Sequence, residues 1–339
     1  MPSNPIRGCR NWIRFGIAVV ILMLAATALP PTPDASAADQ IRIAVLKFGT
    51  ANWGLDVVKR RGLDRAEGFD LDLIEFASPQ ATMVALQGGR ADIAISDWIW
   101  VARQREEGRP FTFVPYSSAT GALVVPAGSP IASLADLRGK RLGVAGGPLD
   151  KSWLLLRALS LRQQGQDLAT EVDPVFAAPP LLNEQIKEGR IDAVLNYWHY
   201  AARLVAVGMT PLIRVEDARE ALGIHTRVPM IGYVFDEPWA EQHRDTLAAF
   251  LRAASAAQAL LLESDAEWLE VRPLMGAPDQ ASFEALRDGY RDGIPRHWGD
   301  AERADAARLF AVLRELGGSQ LVGNASQIPQ GTFWSETSD

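Results

Sequence analysis

A ten-residue pattern that occurs twice constrains the fold of this chain more than any other feature. Residues 89–98 read Gly-Arg-Ala-Asp-Ile-Ala-Ile-Ser-Asp-Trp, and residues 189–198 read Gly-Arg-Ile-Asp-Ala-Val-Leu-Asn-Tyr-Trp. Each copy follows an amphipathic helical segment and continues as a short apolar strand. A spacing of one hundred residues is too long for a solenoid repeat. The pattern therefore predicts two similar α/β lobes.

The ends of these two strands are the first candidate binding residues. Ligands of open α/β sheets bind beyond the carboxyl ends of the strands, and two lobes that face each other would share one cleft there. Aromatic side chains at such positions can form the walls of an organic-ligand site, although burial in the core is an alternative for the tryptophans. The candidates are Ser96, Asp97, Trp98, Asn196, Tyr197 and Trp198.

The first 38 residues have the features of a secretory signal peptide. Three arginines precede an apolar run over 15–26, and Ala35-Ser36-Ala37-Ala38 offers a small-residue cleavage site. The run is shorter than the roughly 20 residues that span a bilayer. We therefore expect residues 1–38 to be removed near Ala37 or Ala38 and the protein to be periplasmic. A membrane anchor is the alternative.

Composition limits the classes of partner. The single cysteine, Cys9, lies in the expected signal peptide, so the mature chain depends on its core rather than on disulfides. The net charge of −7 becomes more negative when three arginines and one aspartate are removed. Such a charge disfavours nucleic acid and anionic membrane surfaces as partners. No apolar repeat indicates a subunit interface, so we expect a monomer.

Apolar strands alternate with helical segments along the mature chain, which indicates parallel sheets in an α/β fold. Extended runs near 121–126 and 223–232 could carry the chain between lobes and act as hinges. We expect lobe 1 to comprise residues 39–122 together with the returning segment and C-terminal helices at 224–339. Residues 123–223 would form lobe 2.

Several of these segments resemble one known family. They are the opening strand Ile41-Arg42-Ile43-Ala44-Val45, the two Gly-x-x-Asp steps, and Leu-Ala-Asp-Leu-Arg-Gly-Lys-Arg-Leu-Gly-Val at 134–144. In these segments the chain resembles periplasmic solute-binding proteins of ABC importers, with the nitrate, sulfonate and taurine branch as the best match. The resemblance covers about residues 40–316. It implies a type II fold of two lobes joined by two hinge crossovers, a small-molecule ligand, and delivery to a membrane permease and its ATPase.

Two helix starts could bind an anion through free backbone N–H groups and the helix dipole. In the loop over 146–152 the candidates are Gly147, Asp150 and Ser152. Asp150 stands where a Walker motif needs glycine, which argues against nucleotide hydrolysis, and a plain helix cap is the alternative. At the other start, Ser78 and Gln80 are ligand contacts that the resemblance implies, although capping alone explains Ser78.

Hydroxyl groups and one guanidinium near the crossovers are further candidates. Ser117, Ser118 and Thr120 could bind a carboxylate, sulfonate or polyol, and a solvated loop is the alternative. Arg227 could clamp a carboxylate or sulfonate with two hydrogen bonds, and a structural ion pair is the alternative. The Arg and Asp residues inside the repeat fit the helix-to-strand turn better than a site.

Asp97 is a departure from the family, whose members often have a Gly- or Thr-rich loop at this point. A carboxylate is unfavourable for a plain oxyanion such as nitrate, so we expect a ligand with a cationic or hydroxyl-bearing end, or a metal chelate.

The four histidines lack His-Glu-x-x-His spacing, and no Gly-x-Ser-x-Gly motif is present. We therefore expect no catalytic residue, no cofactor and no metal ligand.

Three functions are consistent with these features. The sequence favours a binding protein that closes its lobes on a small anionic or zwitterionic organic solute, such as a sulfonate or taurine. The alternative is an enzyme on the same scaffold that acts on a pyrimidine-type precursor, which the resemblance keeps open because thiamine-precursor proteins are related to this family. Among the histidines, His199 is the only candidate for a catalytic residue in the cleft of such an enzyme. A periplasmic accessory protein without a small-molecule ligand is the third possibility.

Overall fold

The computed structural model describes residues 39–335, so the expected signal peptide lies outside the described residues. Over this range the chain alternates strands and helices up to the last strand and then becomes helical. The strands are β1 (Asp39–Leu46), β2 (Phe69–Phe76), β3 (Ile93–Asp97), β4 (Phe111–Ser117), β5 (Ala122–Val125), β6 (Arg141–Ala145), β7 (Asp173–Ala177), β8 (Ala193–Asn196), β9 (Thr210–Arg214) and β10 (Ile231–Asp236). The helices are α1 (Ala51–Arg60), α2 (Leu63–Ala66), α3 (Pro79–Gln87), α4 (Trp98–Glu106), α5 (Lys151–Gln164), α6 (Leu168–Glu171), α7 (Pro179–Lys187), α8 (Trp198–Ala206), α9 (Val215–Ala221), α10 (Glu237–Gln242), α11 (Arg244–Glu263), α12 (Asp265–Met275), α13 (Gln280–Asp292) and α14 (Asp300–Val322).

The strands form two five-stranded sheets with the same topology. The first sheet, which defines lobe 1, has the order β2-β1-β3-β10-β4, and the second, which defines lobe 2, has the order β7-β6-β8-β5-β9. In each sheet the fourth strand is antiparallel to both of its neighbours and comes from the crossover that follows the other sheet. The sequence repeat therefore corresponds to a repeated sheet topology.

The aspartate of each repeat copy ties two neighbouring strands together. Its carboxylate accepts a hydrogen bond from a backbone N–H of the neighbouring parallel strand, β1 or β6, at the point where the repeat enters β3 or β8. This is the turn role that the sequence predicts for the aspartates. The acceptor and donor are Asp92 and Arg42 in lobe 1, and Asp192 and Arg141 in lobe 2, each 2.8 Å apart.

Helices of one lobe pack directly on the other. Helix α8 of lobe 2 lies against α13, and the long helix α14 packs against both α4 of lobe 1 and α5 of lobe 2. Buried side chains of both lobes consequently belong to one continuous apolar cluster, which includes Trp98, Leu123, Trp153 and Leu309. No helix in the described range is long and apolar enough to cross a membrane.

Candidate functional site

Four polar side chains from the two lobes meet where the parallel strands end. Asp97 ends β3 of lobe 1, Asp150 and Lys151 follow β6 of lobe 2, and Tyr197 follows β8 of lobe 2. The charges of Asp97 and Lys151 act on Asp150, and those of both aspartates act on Tyr197. We call these residues the strand-end cluster; three of them, all but Lys151, are candidates from the sequence.

The contact between Asp97 and Lys151 joins the lobes. Lys151 Nζ donates to Asp97 Oδ2 at 2.7 Å, and the side chains are 29% and 15% exposed. The other oxygen of Asp97 accepts from the Trp100 N–H and caps α4. Burial acts to lower the pKa of Lys151, but the attraction of Asp97 outweighs it and raises the pKa above its ordinary value. The lysine is therefore an ammonium ion.

Asp150 is the second carboxylate of the cluster. Its Oδ1 accepts hydrogen bonds from the backbone N–H groups of Ser152 and Trp153, so it caps α5. Burial raises its pKa to about 6 and Asp97 adds to this, although Lys151 and the two backbone N–H groups act in the opposite direction. The cluster has two carboxylates and one ammonium, and this excess of negative charge makes a proton on Asp150 more favourable.

The hydroxyl of Tyr197 approaches Asp150 above Gly146. A Cβ placed on Gly146 would lie 2.5 Å from Tyr197 Oη and 2.8 Å from Asp150 Oδ2. These two oxygens therefore lie close together on one side of a residue that has to be glycine. Burial raises the pKa of Tyr197, with further contributions from Asp150 and Asp97, so the phenol stays protonated. Tyr197 is 36% exposed.

The two tryptophans of the repeat have different environments. Trp198 lies between the lobes, with its ring centroid 6.0 Å from that of Trp53 in an edge-to-face arrangement. Trp98 is fully buried and packs against Phe310 and Phe333, so it is part of the core and does not line the cleft as the sequence suggested. The first residue of α4 points inward because α14 covers that side of the helix.

Asn196 is buried, and its side chain forms hydrogen bonds within the protein instead of facing the cleft. It is 2% exposed, and its amide nitrogen donates to Pro179 O and Asn183 Oδ1 while its oxygen accepts from the Tyr197 N–H. These bonds fix the start of α8 and thereby position Tyr197. Ser96 is half-buried within β3, where it pairs with Gly232 of β10.

The two predicted helix starts are both capped by their own side chains. Ser78 Oγ accepts from the Ala81 N–H at 3.3 Å, and Gln80 is exposed in the first turn of α3. Gly147 and Ser152 flank Asp150 and are half-buried. Capping therefore accounts for Ser78 and for one oxygen of Asp150, and Gly147, Ser152 and Gln80 stay candidates on position alone.

The hydroxyl residues before β5 do not form one site. Ser117 lines a water-sized cavity of about 10 Å³ together with Tyr116 and Tyr290. Ser118 is buried and donates to the carbonyl of Gly293 at 3.1 Å. Thr120 is half-buried. The three side chains therefore point into different surroundings.

Arg227 joins the lobes through ion pairs. Its guanidinium lies 2.6 Å from a carboxylate oxygen of Glu216 and 2.7 Å from one of Asp292. With Ser118 it lines a groove of about 400 Å³ that shares no residue with the strand-end cluster. The structural ion pair, which the sequence left open as the alternative, is what the structure has.

His199 lies next to Trp198 at the start of α8. Its ring centroid is 4.4 Å from that of Tyr200, and its Nδ1 is buried without a hydrogen-bond partner in the described part of the chain. Burial, and then the positive charge of Arg203, lowers its pKa to about 3, so it is neutral at physiological pH. Residues 39–335 contain no group of three side chains suited to a metal ion.

Lys151 is the member of the cluster that the sequence interpretation passed over. It is the first residue of α5, where the positive end of the helix dipole disfavours a cation. A lysine at this position needs a compensating anion, and Asp97 of the other lobe supplies it. That mismatch with the helix dipole is the signal in the sequence that could have identified it.

Comparison with known proteins agrees with the fold. A family model described as "NMT1/THI5 like" matches residues 53–267. No curated protein matches the chain. Among solved structures, the periplasmic aliphatic sulphonate binding protein SsuA from Escherichia coli is similar, with a TM-score of 0.69, 21% identity, and coverage of 87% of this chain and 97% of that one.

Two further structures share the fold at similar levels of identity. The alkanesulfonate-binding protein SsuA from Xanthomonas axonopodis pv. citri, bound to MOPS, has a TM-score of 0.66 and 19% identity over 87% of this chain and 98% of that one. The desulfurization enzyme DSZB has a TM-score of 0.58 and 16% identity over 82% and 92%. The predicted two-lobed type II fold is confirmed. The family match covers more than half of the chain, which therefore belongs to the NMT1/THI5-like family.

Proposed function

We propose that this protein is the periplasmic solute-binding component of an ABC importer. It captures a small anionic or zwitterionic organic solute, of the sulfonate or taurine type, and delivers it to a membrane permease and its ATPase. Residues 1–38 would be the cleaved signal, residues 39–122 and 224–339 would form lobe 1, residues 123–223 would form lobe 2, and the protein would act as a monomer. The similar sulfonate-binding proteins support this assignment.

One observation carries the proposal. Asp97 of lobe 1 meets Lys151 of lobe 2 at 2.7 Å, beyond the carboxyl ends of both sheets. A ligand there would touch both lobes at once. Its contacts would be complete only when the lobes are closed, so binding shifts the population toward the closed state.

The competing hypothesis is an enzyme on the same fold, because DSZB has this fold. The protonation states of Lys151 and His199 argue against a mechanism that uses either as nucleophile or base. Lys151 is held as an ammonium by Asp97 and lacks the free electron pair of a nucleophile. His199, whose pKa is about 3, is a weak base at physiological pH.

The test is the thermal midpoint of residues 39–339 against alkanesulfonates, taurine, nitrate, bicarbonate, pyrimidines and chelated metals. A ligand at one hundred times its Kd adds about 2.7 kcal/mol to the free energy of unfolding. That increase corresponds to a shift on the order of 5–10 °C for a protein of this size. A flat panel for folded, ligand-free protein would contradict solute capture by this class, and conversion of a pyrimidine detected by mass spectrometry would favour the enzyme.

A further inference from the structure

We propose that the strand-end cluster binds the protonated amine of the ligand, through Asp150 Oδ2 and Tyr197 Oη, with Asp97 as the second anion. This inference rests on the proposed function, because it assigns a ligand chemistry to the same cleft. It selects the zwitterionic or amine-bearing solutes from the broader class and excludes simple anions.

The first reason is the charge of the cluster. Asp97 and Asp150 contribute two carboxylates, and Lys151 contributes one ammonium. No further charged side chain acts appreciably on Asp150, since Lys151 on its own helix and Asp97 at the end of β3 are the charged groups that shift its pKa. Tyr197, the residue before α8, faces it as a neutral phenol. A site with one uncompensated negative charge favours a monovalent cation and repels an added anion.

The second reason is that two hydrogen-bond acceptor oxygens of the cluster have no donor among the described residues. Asp97 uses one oxygen for the Trp100 N–H and the other for Lys151. Asp150 uses Oδ1 for two backbone N–H groups, whereas its Oδ2 and Tyr197 Oη accept no hydrogen bond from any described residue. Both open oxygens converge beside Gly146. An ammonium has three donors and no acceptor, so it suits a pair of adjacent acceptor oxygens.

The cation is an organic amine rather than a metal ion. A divalent metal in a protein usually has several His, Cys, Asp or Glu ligands, and the described residues hold no group of three such side chains, the cluster itself offering two aspartates. Lys151 would also repel a divalent charge from the same position. An amine carries one charge, which matches the single excess charge of the cluster.

The proposal predicts competition between the amine and a proton. When the pH falls, Asp150 takes up a proton, the excess negative charge disappears, and Oδ2 loses its strength as an acceptor. With the pKa of Asp150 at about 6 in the unliganded protein, the affinity for an amine falls about tenfold between pH 7.5 and pH 5. A ligand without an amine shows no such decrease.

The experiment is calorimetric titration of residues 39–339 with matched pairs of sulfonates, which stay ionised over this pH range and differ only in the amine: taurine and ethanesulfonate, and 3-aminopropanesulfonate and propanesulfonate. We expect the amine-bearing member to bind at least tenfold more tightly at pH 7.5, with most of this advantage lost at pH 5. Asp150→Asn and Asp97→Asn should each reduce the advantage at pH 7.5, and Asp150→Asn should abolish its pH dependence. Asp279→Asn is the matched control, because Asp279 caps α13 in the same way and is exposed.

The possible failures are distinguishable. Equal or tighter binding of the amine-free members, or a hit without an amine in the wider ligand panel, overturns the amine assignment and leaves solute capture intact. Unchanged preference in Asp150→Asn, measured on protein that unfolds cooperatively at or above the midpoint of the unsubstituted protein, also overturns it. No binding of either pair together with a flat wider panel contradicts solute capture itself.

Discussion

Lys151 Nζ of lobe 2 lies 2.7 Å from Asp97 Oδ2 of lobe 1, and this ion pair closes the gap between the carboxyl ends of the two sheets. Both residues stand at helix starts, where the dipole favours the aspartate and disfavours the lysine. Asp97 of lobe 1, which its own helix dipole stabilises, therefore compensates the charge of Lys151 of lobe 2, which its own helix dipole destabilises. The ion pair stabilises the closed arrangement of the lobes, because an open arrangement would separate the two side chains.

A double-mutant cycle would measure this contact. We expect Asp97→Asn and Lys151→Gln to be coupled by about 1–3 kcal/mol in the free energy of unfolding, because the pair is mostly shielded from water. Asn at 97 keeps an oxygen for the α4 cap. The control is the more exposed pair Arg103 and Glu107, one helical turn apart, for which about 0.3–0.5 kcal/mol is expected. Equal coupling in the two cycles would contradict a lobe-joining role.

Asp150 should make stability depend on pH. Its pKa is about 6 in the folded protein against an ordinary 3.8, so between about pH 4 and 6 the folded state binds a proton that the unfolded chain does not. Stability from this group therefore falls as the pH rises through that window, by about 3 kcal/mol at 1.36 kcal/mol per pH unit. We expect Asp150→Asn to raise the free energy of unfolding by about 1–3 kcal/mol at pH 8 and to have little effect at pH 4, measured by urea titration. An equal effect of the substitution at both pH values would contradict a raised pKa for Asp150 in the folded protein.

His199 should have the opposite pH dependence. Its pKa of about 3 lies below the ordinary 6.5, so the unfolded chain takes up a proton first and stability is lost as the pH falls below about 6.5. His199→Phe keeps an aromatic ring beside Tyr200 and cannot be protonated. We expect its gain in the free energy of unfolding to be about 2 kcal/mol larger at pH 5 than at pH 8. If the gain is independent of pH, the histidine is accessible to protons in the folded state.

Gly289 tests the packing of the lobes at Trp198. Alanine in place of a glycine inside a helix normally adds about 1 kcal/mol of stability. Here the new Cβ would lie 2.9 Å from Cζ3 of the Trp198 ring, which packs against Trp53 of lobe 1. We therefore expect Gly289→Ala to destabilise the protein by about 1–3 kcal/mol and to increase the radius of gyration measured by small-angle X-ray scattering. Adding Trp198→Ala should remove the clash, so strictly additive effects of the two substitutions would contradict this contact.

Much of the fold could be predicted because it follows from local patterns. Apolar and polar residues alternate at the start of β2, which is the local pattern of a strand. The repeat identified β3 and β8, and the repeated aspartates formed the predicted turns. Such signals depend on neighbours in the sequence, which the chain itself specifies. Resemblance to a known family then supplied the arrangement of the two lobes, and the structure has that arrangement.

The candidate site was harder to predict, as Asp97 and Trp98 demonstrate. These adjacent residues have different environments. The carboxylate of Asp97 forms an ion pair with Lys151 of the other lobe, whereas the indole of Trp98 is buried against Phe310. Which of the two faces the cleft depends on α14, which lies about two hundred residues further along the chain and packs on α4. Arg227 is a similar case, since its partner Asp292 comes from α13.

The sequence by itself determined the strands, the helix caps, the duplicated topology and the residues that end each parallel strand, because these depend on short-range periodicity and on turn chemistry. Only the tertiary structure decided which of those strand-end side chains became a charged cluster and which became core. The energies of burial and ion pairing depend on atoms that distant segments bring into contact. Asp150 illustrates the difference. It caps α5 through backbone N–H groups of the residues that follow it in the sequence, whereas its raised pKa arises from burial and from Asp97 in the other lobe.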